Sequence, residues 1–166
     1  MKILVTGARG FIGSRFIRFV LPQQHVDSVV AFTRDTNSWS KRRLSEAAKY
    51  NEERKLQVVK GDLLGDISGL CEGVDVVVNF AAKTFVDHSI RDPLPFVMSN
   101  TVGTVNLLEE ARKQKVKAFL QVSTDEVYGE ILKGQHTEES PLQPRNPYAA
   151  AKAGADAFAL SYAHSF

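Results

Sequence analysis

A single cysteine, Cys71, occurs in the chain, so no internal disulfide can form and a small disulfide-stapled scaffold is excluded. Long apolar runs are missing as well. No stretch approaches the roughly 20 residues that a bilayer-spanning helix needs. Met1 and Lys2 lead straight into Ile3-Leu4-Val5 and a glycine-rich turn, with neither the apolar segment nor the small-residue cleavage site of a signal peptide. The expected location is therefore the cytoplasm. An excess of one charge is also absent: 21 Lys plus Arg face 19 Asp plus Glu, a net +2, which makes neither nucleic acid nor an anionic membrane the default partner. His25, His136 and His164 lack the spacing of metal ligands, and no metal is expected. Repeats, low-complexity tracts and linkers are likewise not found. What remains is ordinary globular composition, 43% hydrophobic and 24% charged over 166 residues, enough for one compact domain with a sizeable core.

Five short β-rich runs, residues 3–5, 28–32, 56–59, 74–80 and 118–122, alternate with helical patterns. The runs are unbroken rather than alternating in polarity, which predicts parallel strands buried on both faces. Residues 11–21 place their apolar side chains on one helical face and stop at Pro22. Residues 38–50 carry only a narrow stripe of Leu44, Ala47 and Ala48. Phe96, Val97, Thr101, Val105, Leu108 and Ala111 recur at helical spacing within 93–115, predicting one long helix, and a last helix runs from Tyr148 toward Phe166. Right-handed βα crossovers then give an α/β fold with a doubly wound parallel sheet of order 3-2-1-4-5.

Directly after the first strand, Thr6-Gly7-Ala8-Arg9-Gly10-Phe11-Ile12-Gly13 opens the first helix. Gly7 would allow a tight turn, Gly10 the close approach of a pyrophosphate and Gly13 close helix packing, while the helix amino terminus offers free N–H donors. These residues point to a bound dinucleotide. At the end of the second strand an acidic residue would accept bonds from a ribose 2′-hydroxyl; that place holds Thr33 and Arg34. Arg9 and Arg34 together would bind a 2′-phosphate, which favours NADP over NAD. The alternative is that both arginines are solvated and that Asp35 serves NAD. Asp62 and Leu63 follow the third strand, where Asp62 either reaches the adenine or is a polar turn residue.

These residues resemble the extended short-chain dehydrogenase/reductase family, and within it the nucleotide-sugar 4,6-dehydratases. The resemblance covers the whole chain through residues 5–14, Asn79-Phe80-Ala81-Ala82, Val86-Asp87-His88-Ser89, residues 99–104, Val122 to Gly129 and Asn146-Pro147-Tyr148-Ala149-Ala150-Ala151-Lys152. Tyr148 and Lys152, at i and i+4, share a helical face, and a nearby ammonium would lower the tyrosine pKa toward neutrality so that it serves as a base. The resemblance implies that Lys152 also bonds the nicotinamide ribose. It further implies that Asp125 protonates the departing C6 hydroxyl, that Glu126 removes the C5 proton and that Thr124 bonds the C4 hydroxyl. That division requires Asp125 to react protonated and Glu126 ionised.

The resemblance also implies that Ala81, Ala82, Lys83 and Asn100 are further cofactor-side positions, with Thr84 on the substrate side. Here the sequence departs from the commonest family pattern: Lys83, Thr84 and Phe85 stand where Glu, Ser or Thr, and His are usual, and His88 replaces a frequent arginine. The sugar is left open by this. The implied reaction is an internal redox cycle in which hydride leaves C4, water is eliminated across C5 and C6, and hydride returns to C6, giving a 4-keto-6-deoxy product. A nucleotide-sugar epimerase or reductase on the same fold would not need Asp125 and Glu126, and a non-catalytic dinucleotide-binding module needs none of the five. The resemblance also implies a homodimer built from the helix near 93–115 and the one after Tyr148. Finally, it implies that residues 1–166 are the dinucleotide-binding portion of a longer chain whose carboxyl-terminal part selects the sugar.

Overall fold

The computed structural model describes residues 1–34 and 55–166. The predicted helix over 38–50, and Asp35, lie outside the described residues. The elements in chain order are β1 (Lys2–Thr6), α1 (Phe11–Val20), β2 (Ser28–Thr33), β3 (Leu56–Lys60), β4 (Val76–Asn79), α2 (Val86–Arg91), α3 (Leu94–Phe96), α4 (Gly103–Lys113), β5 (Ala118–Gln121) and α5 (Pro147–Ser165). They fall into two compact units, Met1–Ala81 with Asn106–Val122, and Ala82–Val105 with Ser123–Phe166.

The first unit contains the sheet. Its strands are all parallel and ordered β3-β2-β1-β4-β5, the topology the alternating pattern predicts. The run at 74–80 shortens to Val76–Asn79. Successive residues of a strand enter opposite faces. Thus Ile3, Val5, Val29 and Ala31 pack with Ile17 and Val20 of α1, while Leu4, Val30, Phe32 and Val77 pack with Leu63, Cys71, Leu107 and Ala111. This double burial explains the unbroken apolar runs of β1, β2 and β4. The expectation of burial on both faces fails at β3 and β5, where Val58 is 48% and Leu120 53% exposed. Both are edge strands, and helices laid on a sheet cover its middle more fully than its rim. Cys71 is buried, and that burial, reinforced by Glu110, pushes its thiol up to about 12, so it behaves as an inert core residue.

The second unit is helical. The single helix predicted over 93–115 is instead α3, a π-helical stretch at Val97–Val102 and α4. The widened turn carries Asn100 inward to 1% exposure, and such turns concentrate at functional positions. The Thr104 hydroxyl bonds the Asn100 carbonyl at 2.7 Å. α2 was not anticipated, being six residues long and too short for periodicity to reveal. α5 begins where expected: Asn146 Oδ1 accepts the Ala149 N–H at 2.8 Å and Pro147 occupies the first turn, after which an alanine-rich run favours helix. Thr101 Oγ1 donates to the Ala151 carbonyl at 2.8 Å, and Phe96 meets Tyr148 edge-on at 6.5 Å. Among the described residues no helix is long and apolar enough to cross a membrane, and no three His, Cys, Asp or Glu side chains gather to hold a metal ion.

Candidate active site

The glycine turn of the first unit is closed by steric necessity. Gly7 has φ +61°, and a Cβ there would stand 2.8 Å from both the carbonyl carbon and oxygen of Phe80. At Gly13 a Cβ would meet the Gly7 carbonyl oxygen at 2.5 Å, so this glycine lets α1 begin against the turn itself. The Gly10 N–H bonds the Gly7 carbonyl at 2.8 Å, and Gly10, the N-cap of α1, offers no side-chain cap. The helix amino terminus therefore presents backbone donors and the positive end of its dipole, a cradle that fits a pyrophosphate. Phe11 and Ile12 project into solvent, at 76% and 61% exposure.

The Arg34 guanidinium lies 3.6 Å from the Asp62 carboxylate. Asp62 also accepts the Leu64 N–H at 3.1 Å, the turn role weighed for it, and Leu63 belongs to the core. A polar ladder that the sequence reading missed crosses the carboxyl ends of three strands. Thr6 Oγ1 donates to Asn79 Oδ1 at 2.5 Å, and Asn79 Nδ2 donates to Gln121 Oε1 at 2.8 Å. The Ala81 N–H reaches both Thr6 and Asn79 at 3.3 Å, which fixes the chain as it leaves β4.

In the second unit Thr124, Asp125 and Glu126 stand against Tyr148, and Lys152 lies one turn further along α5. Thr124 caps a 3₁₀ turn at Asp125–Tyr128 by accepting the Glu126 N–H, and its side chain shares a hydrogen bond with the Tyr148 hydroxyl. Glu126 is held by Asn146, whose Nδ2 donates to Oε2 at 2.5 Å, while Asp125 is exposed. Tyr148 is 8% exposed; its backbone N–H bonds Ser89 Oγ at 3.1 Å. Lys152 is 3% exposed.

One expectation is overturned here. The Tyr148 phenol is not lowered toward neutrality but pushed above its ordinary value, by burial first and then by the Glu126, Asp125 and Asp156 carboxylates, against the Thr124 hydrogen bond. The Lys152 ammonium, itself pulled down by burial, acts on Asp156 instead. Asn146 and Asp156 were both missed. Asn146 could have been found from its place before Pro147, as a cap with a second polar arm; Asp156 could have been found from its i+4 spacing to Lys152.

Asn100 uses its whole amide on one partner: Oδ1 accepts the Lys83 N–H at 2.8 Å and Nδ2 donates to the Lys83 carbonyl at 2.9 Å. Lys83 is thereby fixed, with Nζ 6.0 Å from the Phe96 ring centre. Beside it lies a cavity of about 330 Å³ lined by residues that include Ala82, Thr84, Phe85 and His88.

A parallel 3-2-1-4-5 sheet with a glycine turn leading from β1 into α1 defines a doubly wound fold of the dinucleotide-binding class. Within that class the chain belongs to the GDP-mannose 4,6 dehydratase family, whose model matches residues 4–166. It is 46% identical over 98% of its length to the low-salt glycan biosynthesis protein Agl12 of Haloferax volcanii, and 44% identical, again over 98%, to a dTDP-glucose 4,6-dehydratase of an Actinoplanes species. In each case it covers 52% of the relative, so the chain spans about half the length of the curated relatives it matches. Among solved structures, DesIV of Streptomyces venezuelae, a dTDP-glucose 4,6-dehydratase with NAD bound, aligns at TM-score 0.88 and 40% identity over 99% of this chain and 52% of its own. The UDP-Glc/GlcNAc 4-epimerase of Campylobacter jejuni aligns at TM-score 0.88 and 31% identity over 99% of this chain and 49% of its own.

Proposed function

We propose that the protein dehydrates a nucleotide-activated hexose to its 4-keto-6-deoxy form, with a pyridine dinucleotide held by the glycine turn. The observation that carries this reading is the gathering of Thr124, Asp125 and Glu126 with Tyr148 and Lys152 in one unit. Gly7, Arg9, Gly10, Phe11, Ile12 and Gly13 would hold the pyrophosphate, with Arg34, Asp62, Leu63, Ala81, Ala82, Lys83 and Asn100 as further cofactor-side positions. The bound dinucleotide supplies the hydride acceptor and donor. The chain's own residues supply the rest. Tyr148 takes the proton of the C4 hydroxyl, oriented by Thr124; Asp125 gives a proton to the oxygen leaving C6; Glu126, steadied by Asn146, takes the proton from C5 and returns it there when hydride reaches C6. Lys152 donates to the nicotinamide ribose, and Thr84 faces the substrate. Full-length protein incubated with dTDP-glucose, UDP-glucose and UDP-GlcNAc should form a 4-keto product from one of them. Glu126→Gln should abolish elimination while dinucleotide binding persists; normal turnover by that variant sinks the assignment.

Epimerization is the second reading, favoured by the likeness to the Campylobacter jejuni enzyme. A product that keeps its C6 oxygen would select it. A non-catalytic module leaves the five-residue cluster without a purpose, and dinucleotide binding with no turnover of any nucleotide sugar would select that instead. For the cofactor, Arg9 and Arg34 support NADP, whereas the Asp62 partner of Arg34 and the NAD in DesIV support NAD. Titration with both decides, and Arg34→Ala should weaken only the NADP complex. A cytoplasmic location accompanies this reading, since nucleotide sugars and free dinucleotides are charged and do not cross membranes unaided. In it, residues 1–166 are the dinucleotide-binding portion, and the choice of base and sugar belongs to the additional length seen in the relatives.

A further inference from the structure

We propose that Asp156 is a positioning residue joining the two halves of the catalytic cluster: it anchors Ser123, the residue before the Thr124–Glu126 segment, and stands one helical turn after Lys152 on α5. The inference rests on the catalytic reading above only for what Lys152 is used for. Ser123 Oγ donates to Asp156 Oδ2, so one carboxylate oxygen ties the residues of the 3₁₀ turn to α5, the helix that carries Tyr148 and Lys152. The other oxygen, Oδ1, is buried and accepts no hydrogen bond among the described residues. A carboxylate placed only for structure would be satisfied at both oxygens, because a buried unmet acceptor is destabilising.

What compensates is charge. Burial disfavours the ionised forms of both Lys152 and Asp156, and each supports the other's ionisation. Among the described residues Glu126 and Asp125 act on Tyr148, the π-helical stretch and α3 carry no charged residue, and Asp87, His88 and Arg91 of α2 are exposed. Asp156 thus favours the ammonium form of Lys152, which carries three N–H donors for a ribose hydroxyl.

The test is made in the full chain with ε-¹³C-labelled lysine, the Lys152 resonance being assigned by its loss in Lys152→Met. In Asp156→Asn, Lys152 should deprotonate about one pH unit lower than in the wild type. Asp156→Glu should restore the wild-type value. Ser123→Ala, which unties the carboxylate from the 3₁₀ turn without touching the lysine, leaves Asp156 ionised at the alkaline pH where Lys152 titrates, and should leave that titration in place while lowering kcat. The alkaline limb of kcat should follow Lys152 in each variant, with dinucleotide Kd unchanged within about twofold, on the same reasoning. A Lys152 titration in Asp156→Asn that overlays the wild type overturns the proposal, as do an unchanged kcat in Ser123→Ala and, in Asp156→Asn, a fall in kcat that tracks lost melting temperature with no change in pH profile. If no nucleotide sugar is turned over by the wild type, the catalytic reading fails while the Lys152 titration still decides the pairing.

Discussion

Gly7 is the position where the smallest substitution is most damaging. Its φ of +61° already disfavours any side chain, and a Cβ would enter the Phe80 carbonyl, which is backbone and cannot rotate away. Gly7→Ala should cost on the order of 2–4 kcal/mol by the combined strain and overlap. Urea melts would measure this, and dinucleotide affinity should fall with it; a variant that melts and binds as the wild type does would show the turn to be incidental. Tyr148 makes the second prediction. Its ionisation is raised in the folded protein, so its contribution to stability is complete below the ordinary value of 10.0 and is lost as pH rises through the higher folded value. The phenol that the proposed reaction uses as a base is therefore held protonated in the free protein. An oxidised nicotinamide ring is cationic and would favour the phenolate, so spectral titration of the tyrosinate, taken as wild type minus Tyr148→Phe, should shift to lower pH with oxidised dinucleotide and not with reduced. An unchanged curve would remove Tyr148 from the role of base.

Among the elements, the strands were readable because their two buried faces impose unbroken apolar runs, and α1 because its stripe sits between a glycine turn and Pro22. The π-helical stretch was not readable: Phe96 to Ala111 keeps helical spacing, and only the need of Asn100 to bond both polar groups of the Lys83 backbone marks the widened turn. Nor was the raised Tyr148 phenol, since spacing places Lys152 near it but does not reveal three carboxylates and burial acting the other way. Thr124, Asp125 and Glu126 do stand against Tyr148; what spacing left out is the frame around them. Asn146 belongs to that frame and lets fold and chemistry be separated. Asn146→Ala removes the cap of α5 and should cost about 1 kcal/mol together with turnover. Asn146→Asp keeps an oxygen for the Ala149 N–H, so the melt should recover, but it sets a second negative charge against Glu126. Turnover should then fall by about tenfold or more, the scale of one displaced pKa unit. Equal kcat in the wild type and Asn146→Asp would show that the contact to Glu126 is not used.

For the molecule as a whole the question is what covers its second unit. Leu94, Val97 and Met98 are 65%, 41% and 39% exposed, at the i, i+3, i+4 spacing that puts them on one helical face, and α5 adds Phe158 at 43% and Leu160 at 61%. Polar residues would be the normal occupants of so much helical surface facing water, and clustered apolar exposure of this kind marks an interface. Since α3, the π-helical stretch and α5 pack on one another within the unit, two such units could meet face to face by a two-fold axis, each covering the other's same residues. The homodimer is thus the assembly we propose, and it makes a prediction independent of chemistry. Sedimentation of the full chain at micromolar concentration should give a dimer, and Leu94→Glu or Met98→Glu should give a monomer, because a charge buried in an apolar contact must be desolvated without a partner. Dinucleotide affinity should be unchanged, since neither residue belongs to the glycine turn or the catalytic cluster. A wild-type monomer, or glutamate variants that sediment unchanged, would turn this face over to some other contact.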